Sequence, residues 1–126
     1  MFSHVMLGAN DMAASKTFYD ATLGALGAKP GREDDKGRLI YVHNGGLFLL
    51  GKPIDGDNAC HANGGTIGFA ASSPEQADAW HAAGLAAGGK AIEDPPGVRT
   101  GAFGSLYLAY LRDPCGNKIC AMHRVS

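Results

Sequence analysis

The chain of 126 residues is 45% apolar and carries a net charge of −1, the composition of one globular domain. A domain of this length buries roughly two-thirds of its unfolded surface, so it needs no disulfide or metal staple. A near-neutral chain without a Lys/Arg run lacks the basic surface that nucleic acid demands, and the lack of an apolar run of about 18 residues excludes a membrane-spanning helix.

The N-terminal stretch shows no basic segment followed by a long apolar run, so no signal peptide is expected. Residues 2–8 read as a strand. Asn10 or Asp11 then offers a helix N-cap. Ala14, Phe18, Ala21 and Ala25 follow at helical spacing, and the helix is expected to end near Gly27. Ala28–Gly31 is expected as a short strand and Arg32–Arg38 as a charged turn. Leu39–His43 and Leu47–Leu50 form a hairpin around Asn44-Gly45-Gly46. Residues 52–64 combine Pro, Asp, Asn and Gly, the composition of a linker.

The same grammar then repeats. Thr66–Ala71 is a strand, Ser72 or Ser73 an N-cap, and Pro74 and Glu75 suit a first helical turn. The helix runs through Ala77, Trp80 and Leu85 towards Gly88-Gly89. Lys90–Glu93 is a short strand, and a loop containing Asp94-Pro95-Pro96-Gly97 leads to a strand at Leu106–Leu111. After a turn at Asp113–Asn117, a last strand covers Lys118–His123. A shift of 62 positions superposes the halves: His4 falls on Thr66, Leu7 on Phe69, Ala9 on Ala71, Phe18 on Trp80 and Gly27 on Gly89. The expected fold is therefore α+β. Two tandem βαβββ modules, with two helices and roughly eight strands, form a curved sheet around a cleft. Module one spans about 1–53, the linker 54–63 and module two about 64–124 of a single domain. Phe18 and Trp80, equivalent in the repeat, are expected in the core, and His43, His81 and His123 at turns or on the surface.

Three scattered cysteines, Cys60, Cys115 and Cys120, suit a reducing cytoplasm better than a disulfide framework, and no CxxC pair suggests a structural zinc cluster. If His4 points into the cleft, alternation brings Phe2 and Met6 with it and turns Val5 and Leu7 towards the helices. By the same rule Phe48 and Leu50, Thr66 and Gly68, and Lys118, Cys120 and Met122 line the cleft, while Ile119 and Ala121 face a helix. One of Tyr107 and Tyr110 also faces the cleft. Such a lining suits an apolar or aromatic small molecule oriented by one or two hydrogen bonds. Arg99 is a candidate carboxylate clamp or a solvated loop residue. His4 and Cys120 are the candidate catalytic pair, because a neighbouring cation would lower the thiol pKa.

His4 on the first strand, the run FYDATLGALG (18–27) and the closing LRDPCGNKICAMH (111–123) resemble the vicinal oxygen chelate superfamily. That group includes glyoxalase I, extradiol dioxygenases and bleomycin-resistance proteins. The resemblance implies a homodimer and up to four metal ligands, one from the first and one from the last strand of each module. Carried over, these positions are His4, Leu50, Thr66 and Cys120, where the family uses mostly His and Glu. Two usable donors fall short of the three that catalytic zinc usually keeps. The expectation is a small-molecule cleft without cofactor or metal. A metal-dependent lyase or isomerase of lactoylglutathione lyase type and a metal-independent enzyme using His4 and Cys120 are the alternatives.

Overall fold

All 126 residues are described by the structure, a computed structural model. The elements in chain order are β1 (Val5–Gly8), α1 (Met12–Ala25), β2 (Arg32–Glu33), β3 (Leu39–His43), β4 (Gly46–Gly51), β5 (Ile67–Ala70), α2 (Pro74–Ala86), β6 (Lys90–Ala91), β7 (Gly97–Gly101), β8 (Gly104–Arg112) and β9 (Lys118–Arg124). One sheet has the order β1-β4-β3-β2; the other has β5-β9-β8-β6, with β7 also paired to β8. In each module the first strand runs parallel to the last, and the remaining pairs are antiparallel. Neither helix is long and apolar enough to cross a membrane.

The helix starts follow from their caps. The Asp11 carboxylate accepts the Ala14 N–H at 3.0 Å, which leaves the neighbouring Asn10 amide free for other contacts. In α2 the cap is Ser73, whose hydroxyl accepts the Gln76 N–H at 3.1 Å. The Gln76 side chain in turn accepts the Ser72 N–H at 2.6 Å.

Two short elements depart from the sequence reading. β2 lies at Arg32–Glu33, inside the segment expected to be a turn, and not at Ala28–Gly31. Pro30 has no N–H to give a ladder, and Gly31 donates its own to the Asp20 carboxylate at 2.9 Å. Gly31 also lies flat beneath the Tyr41 ring, where a Cβ would come within 2.5 Å of Cζ. β7, expected as part of a loop, pairs Val98, Arg99 and Thr100 with Tyr107, Leu106 and Ser105.

The two helices pack on one another between the sheets. Phe18, Tyr19 and Trp80 are fully buried there, joined by Leu39, Leu50, Leu111 and Ile119. Each such side chain contributes about 1.5–3 kcal/mol by burial. The helices meet at Gly84, where a Cβ would lie 2.3 Å from Leu111 Cδ1 and 3.2 Å from Phe18 Cε1. Phe48 of module one meets Phe69 of module two edge to face, with centroids 5.2 Å apart.

The Asp113–Asn117 turn is a second tie between modules. One Asp113 oxygen accepts the N–H groups of Cys115 and Asn117, each at 2.9 Å. The other accepts the Tyr19 hydroxyl at 2.6 Å and the Asn117 amide at 2.9 Å. Asn117 also donates to the Gly8 carbonyl at 3.0 Å, so a turn of module two grips both α1 and β1 of module one. Buried polar groups must be paired, and this network pairs Asp113 and Asn117 entirely within the chain.

Candidate functional site

Each sheet has one face on the helices and one facing away. On β1 and β3 burial follows the two-residue period, with Val5, Leu7, Leu39 and Tyr41 on or in the core and Met6 and Val42 exposed. On β4 Phe48 and Leu50 join the core and Leu47 is exposed, while the outward-facing Leu49 is itself buried. Phe48 and Leu50 are thus corrected from cleft lining to core. The register explains why. Val5 pairs with Phe48 and Leu7 with Leu50, so the residue beside Met6 on the outward face is Leu49. In module two the matching pair is Gly68 and Cys120. Cys120 lies four residues after Gly116, which has φ +93°; the equivalent turn glycine of module one is Gly45, with φ +79°, not Gly46. Counting four from Gly45 reaches Leu49.

The outward face of module two carries the polar groups. Lys118, Cys120 and Met122 share it on β9, and Tyr110 pairs directly with Cys120 from β8. Tyr110 is therefore the tyrosine on this face. Tyr107 lies on the opposite face, with its hydroxyl donating to Asp78 at 2.6 Å. Two cations flank the Tyr110 ring: Lys118 Nζ at 5.1 Å and Arg99 Cζ at 5.7 Å from the centroid. Lys118 is held by an ion pair with Glu93, a half-exposed residue whose backbone has φ +60°. Sequence reasoning missed Glu93 and Leu49; the positive-φ glycine of each hairpin was the signal for the second.

Arg99 is neither solvated nor free to clamp a carboxylate. Its guanidinium donates to the carbonyls of Asp94, Pro95, Gly97 and Leu108 at 2.9–3.1 Å, folding the Asp94–Gly97 segment against β8. Cys120 is buried, and burial pushes its thiol up to about 11. The charges acting on it are Lys118 and Glu93, not His4. His4 is exposed, with Nδ1 2.8 Å from the Ser3 hydroxyl. The expected His4–Cys120 activated pair is therefore not assembled within one chain. Phe2 and Thr66 are exposed, and Met122 is 39% exposed. Phe18 and Trp80 lie in the core, while His43, His81 and His123 are half-buried; His123 Nδ1 lies 3.0 Å from the Ala71 carbonyl.

The positions at which the superfamily places metal ligands hold His4, Leu49, Thr66 and Cys120. Leucine has no donor and threonine offers a neutral hydroxyl, so His4 and Cys120 are the two usable donors, short of the three that a catalytic zinc keeps. This set does not fit a divalent metal. Nowhere in the chain do three His, Cys, Asp or Glu side chains converge in a metal-holding group.

Several hollows flank the sheets, one of about 730 Å³ lying beside Ile40 and Val42 of β3. An open one of about 1160 Å³ lies at the end of the first sheet, between Met6, Glu33, Arg38, Lys52 and Cys60. An apolar one of about 290 Å³ lies between the modules, lined by Leu23, Leu26, Tyr41, Phe48 and Phe69.

A model of the Glyoxalase/Bleomycin resistance protein/Dioxygenase superfamily matches residues 1–121. Among solved structures, a glyoxalase/bleomycin resistance protein from Albidiferax ferrireducens T118 is 60% identical. Its TM-score is 0.95, with 98% of this chain and 99% of that one covered. A glyoxalase-related enzyme from Fulvimarina pelagi is 19% identical with a TM-score of 0.71, covering 97% and 87%. A lactoylglutathione lyase from Agrobacterium tumefaciens is 20% identical with a TM-score of 0.67, covering 97% and 92%. The last two likenesses are of fold alone. None of the curated proteins compared matches the chain.

Proposed function

This chain belongs to the Glyoxalase/Bleomycin resistance protein/Dioxygenase superfamily, and we propose that two copies of it enclose a cleft that binds a small organic molecule without a divalent metal. The observation that carries this reading is the openness of both outward sheet faces. Val42 is 60% exposed, Met6 44% and Met122 39%, yet all three belong to faces built largely from apolar residues. A soluble monomer rarely leaves such faces uncovered. β1 and β5 are also edge strands, each paired on one side only. A second copy supplies both missing surfaces by symmetry: the first sheet of one chain then stands opposite the second sheet of the other.

The cleft so formed has apolar walls from Met6, Leu49 and Met122, and a polar end at Tyr110 and Lys118. It suits a small aromatic or aliphatic molecule with one anionic or hydrogen-bonding group. Lys118 supplies charge, and the Tyr110 ring supplies a stacking surface. The metal-dependent lyase reading lacks donors at the positions that matter, and the fold likeness to a lactoylglutathione lyase does not provide them.

The reading is tested by thermal shift of the purified protein against a panel of small aromatic acids and phenols, with Ni²⁺, Zn²⁺, Mn²⁺ and Fe²⁺ added separately. A ligand at about 100 times its Kd stabilises by about 2.7 kcal/mol, a shift of several degrees. The expected result is such a shift from an aromatic acid, reduced in Tyr110→Ala, and none from the metals alone. Stabilisation by a metal that disappears in His4→Ala contradicts the reading.

A further inference from the structure

The segment joining the modules returns across the Asp113–Asn117 turn, and Asn10 fastens it there. The Asn10 carbonyl oxygen accepts the Ala59 N–H at 2.6 Å, and its amide donates to the Ala59 carbonyl at 3.1 Å. The same amide nitrogen lies 3.6 Å from Cys115 Sγ. The Ala59 methyl sits so close over β1 that a Cβ on Gly8 would come within 2.7 Å of it. On the other side of Cys60, the His61 ring packs on Gly116, where a Cβ would lie 3.6 Å from Cδ2. Residues 59 and 61 are thus pinned beside residues 115 and 116, and the thiols of Cys60 and Cys115 are held in one neighbourhood. Cys60 also lines the open hollow beside Met6, whereas Cys115 does not.

We propose that Cys60 and Cys115 are a peroxide-sensitive thiol pair that closes into an intramolecular disulfide, locking the linker onto the turn that joins the modules. Their environments give the two sulfurs different parts. Cys60 is exposed and Cys115 half-buried. Burial pushes the Cys115 thiol up, and the nearby Asp113 and Cys60 add to this against the Asn10 hydrogen bond. Cys60 is the sulfur that meets oxidant. Its thiolate attacks one oxygen of hydrogen peroxide, the O–O bond breaks, and the leaving hydroxide takes a proton to become water, giving a Cys60 sulfenic acid. The Cys115 sulfur then attacks the sulfenic sulfur. The S–S bond forms, the S–O bond breaks, and the thiol proton leaves with the hydroxyl as a second water. Two thiols lose two electrons in all, and one peroxide gains them. Cys60 lies outside any helix or strand, between the two anchored residues, and the bond requires its Cα to stand roughly 4.4–6.8 Å from that of Cys115.

The test is intact-mass and peptide mapping of the full chain after brief treatment with micromolar hydrogen peroxide, with Cys60→Ser and Cys120→Ser in parallel. The expected result is a monomer mass lower by two hydrogens and a peptide pair linked through Cys60 and Cys115. Cys120→Ser should behave alike and Cys60→Ser should form no such link; dithiothreitol should reverse the change. Oxidised protein should also show slower proteolysis between residues 52 and 65. Oxidation of Cys60 to sulfinic acid without a link, a link between two chains, or a link through Cys120 would each overturn the proposal.

Discussion

Cys120 and Cys60 differ in the one property that governs thiol chemistry, access of the charged form to water. Burial holds Cys120 neutral, with Gly68 opposite it on β5 and Tyr110 beside it on β8. With its thiol pushed up to about 11, Cys120 presents on the order of 100-fold less thiolate at pH 7.5 than an unperturbed cysteine. Iodoacetamide labelling followed by peptide mapping should therefore find Cys60 modified long before Cys120, with the Cys120 rate rising steadily as pH approaches 11. Rapid labelling of Cys120 at neutral pH would show a depressed pKa and restore it as a nucleophile. That Cys120 belongs to an outward face was legible from alternation along the last strand. Its inertness was not, because it depends on neighbours from β8 and on the absence of His4, and alternation says nothing about either. Arg99 gives the same lesson: four carbonyl partners from two segments cannot be read from one glycine-rich stretch.

At the scale of elements, the repeat made both helices and most strands readable, because long periodic segments and capping residues carry their own signals. The failures came where one residue of register decides everything. Phe48 and Leu50 exchanged faces with Leu47 and Leu49 because two adjacent glycines, Gly45 and Gly46, follow Asn44 and only the first occupies the left-handed position that matches Gly116. β7 was hidden because glycines bound a three-residue run. The helix crossing offers a paired test of packing against propensity. Gly24 and Gly84 are both helical glycines, and alanine is favoured over glycine there by about 1 kcal/mol. Nothing lies within 4 Å of a Cβ at Gly24, whereas one at Gly84 meets Leu111 at 2.3 Å. Gly24→Ala should raise Tm by a few degrees. Gly84→Ala should lower it, with overpacking of about 1–3 kcal/mol exceeding the propensity gain. Equal responses in calorimetry would mean that Leu111 of β8, with Thr22 and Phe18 of α1, does not crowd Gly84.

For the whole molecule, the central question is what covers the two outward faces. Within one chain the helices occupy the space between the sheets, so the faces that would enclose a ligand are turned away from that core. In the proposed dimer a second copy would cover the exposed Val42 and the unpaired edges of β1 and β5 in one arrangement. It also explains why sequence alone left the cleft's ownership open: repeats reveal that two modules exist, but not whether the partner of each is in the same chain. Analytical ultracentrifugation of the wild-type chain and of Val42→Glu, at matched micromolar concentrations, tests this most directly. Wild type should sediment at twice the 13.0 kDa chain mass, and Val42→Glu, folded by circular dichroism, should shift towards the monomer. A wild-type protein that stays at 13.0 kDa at all concentrations would contradict a cleft built from two copies.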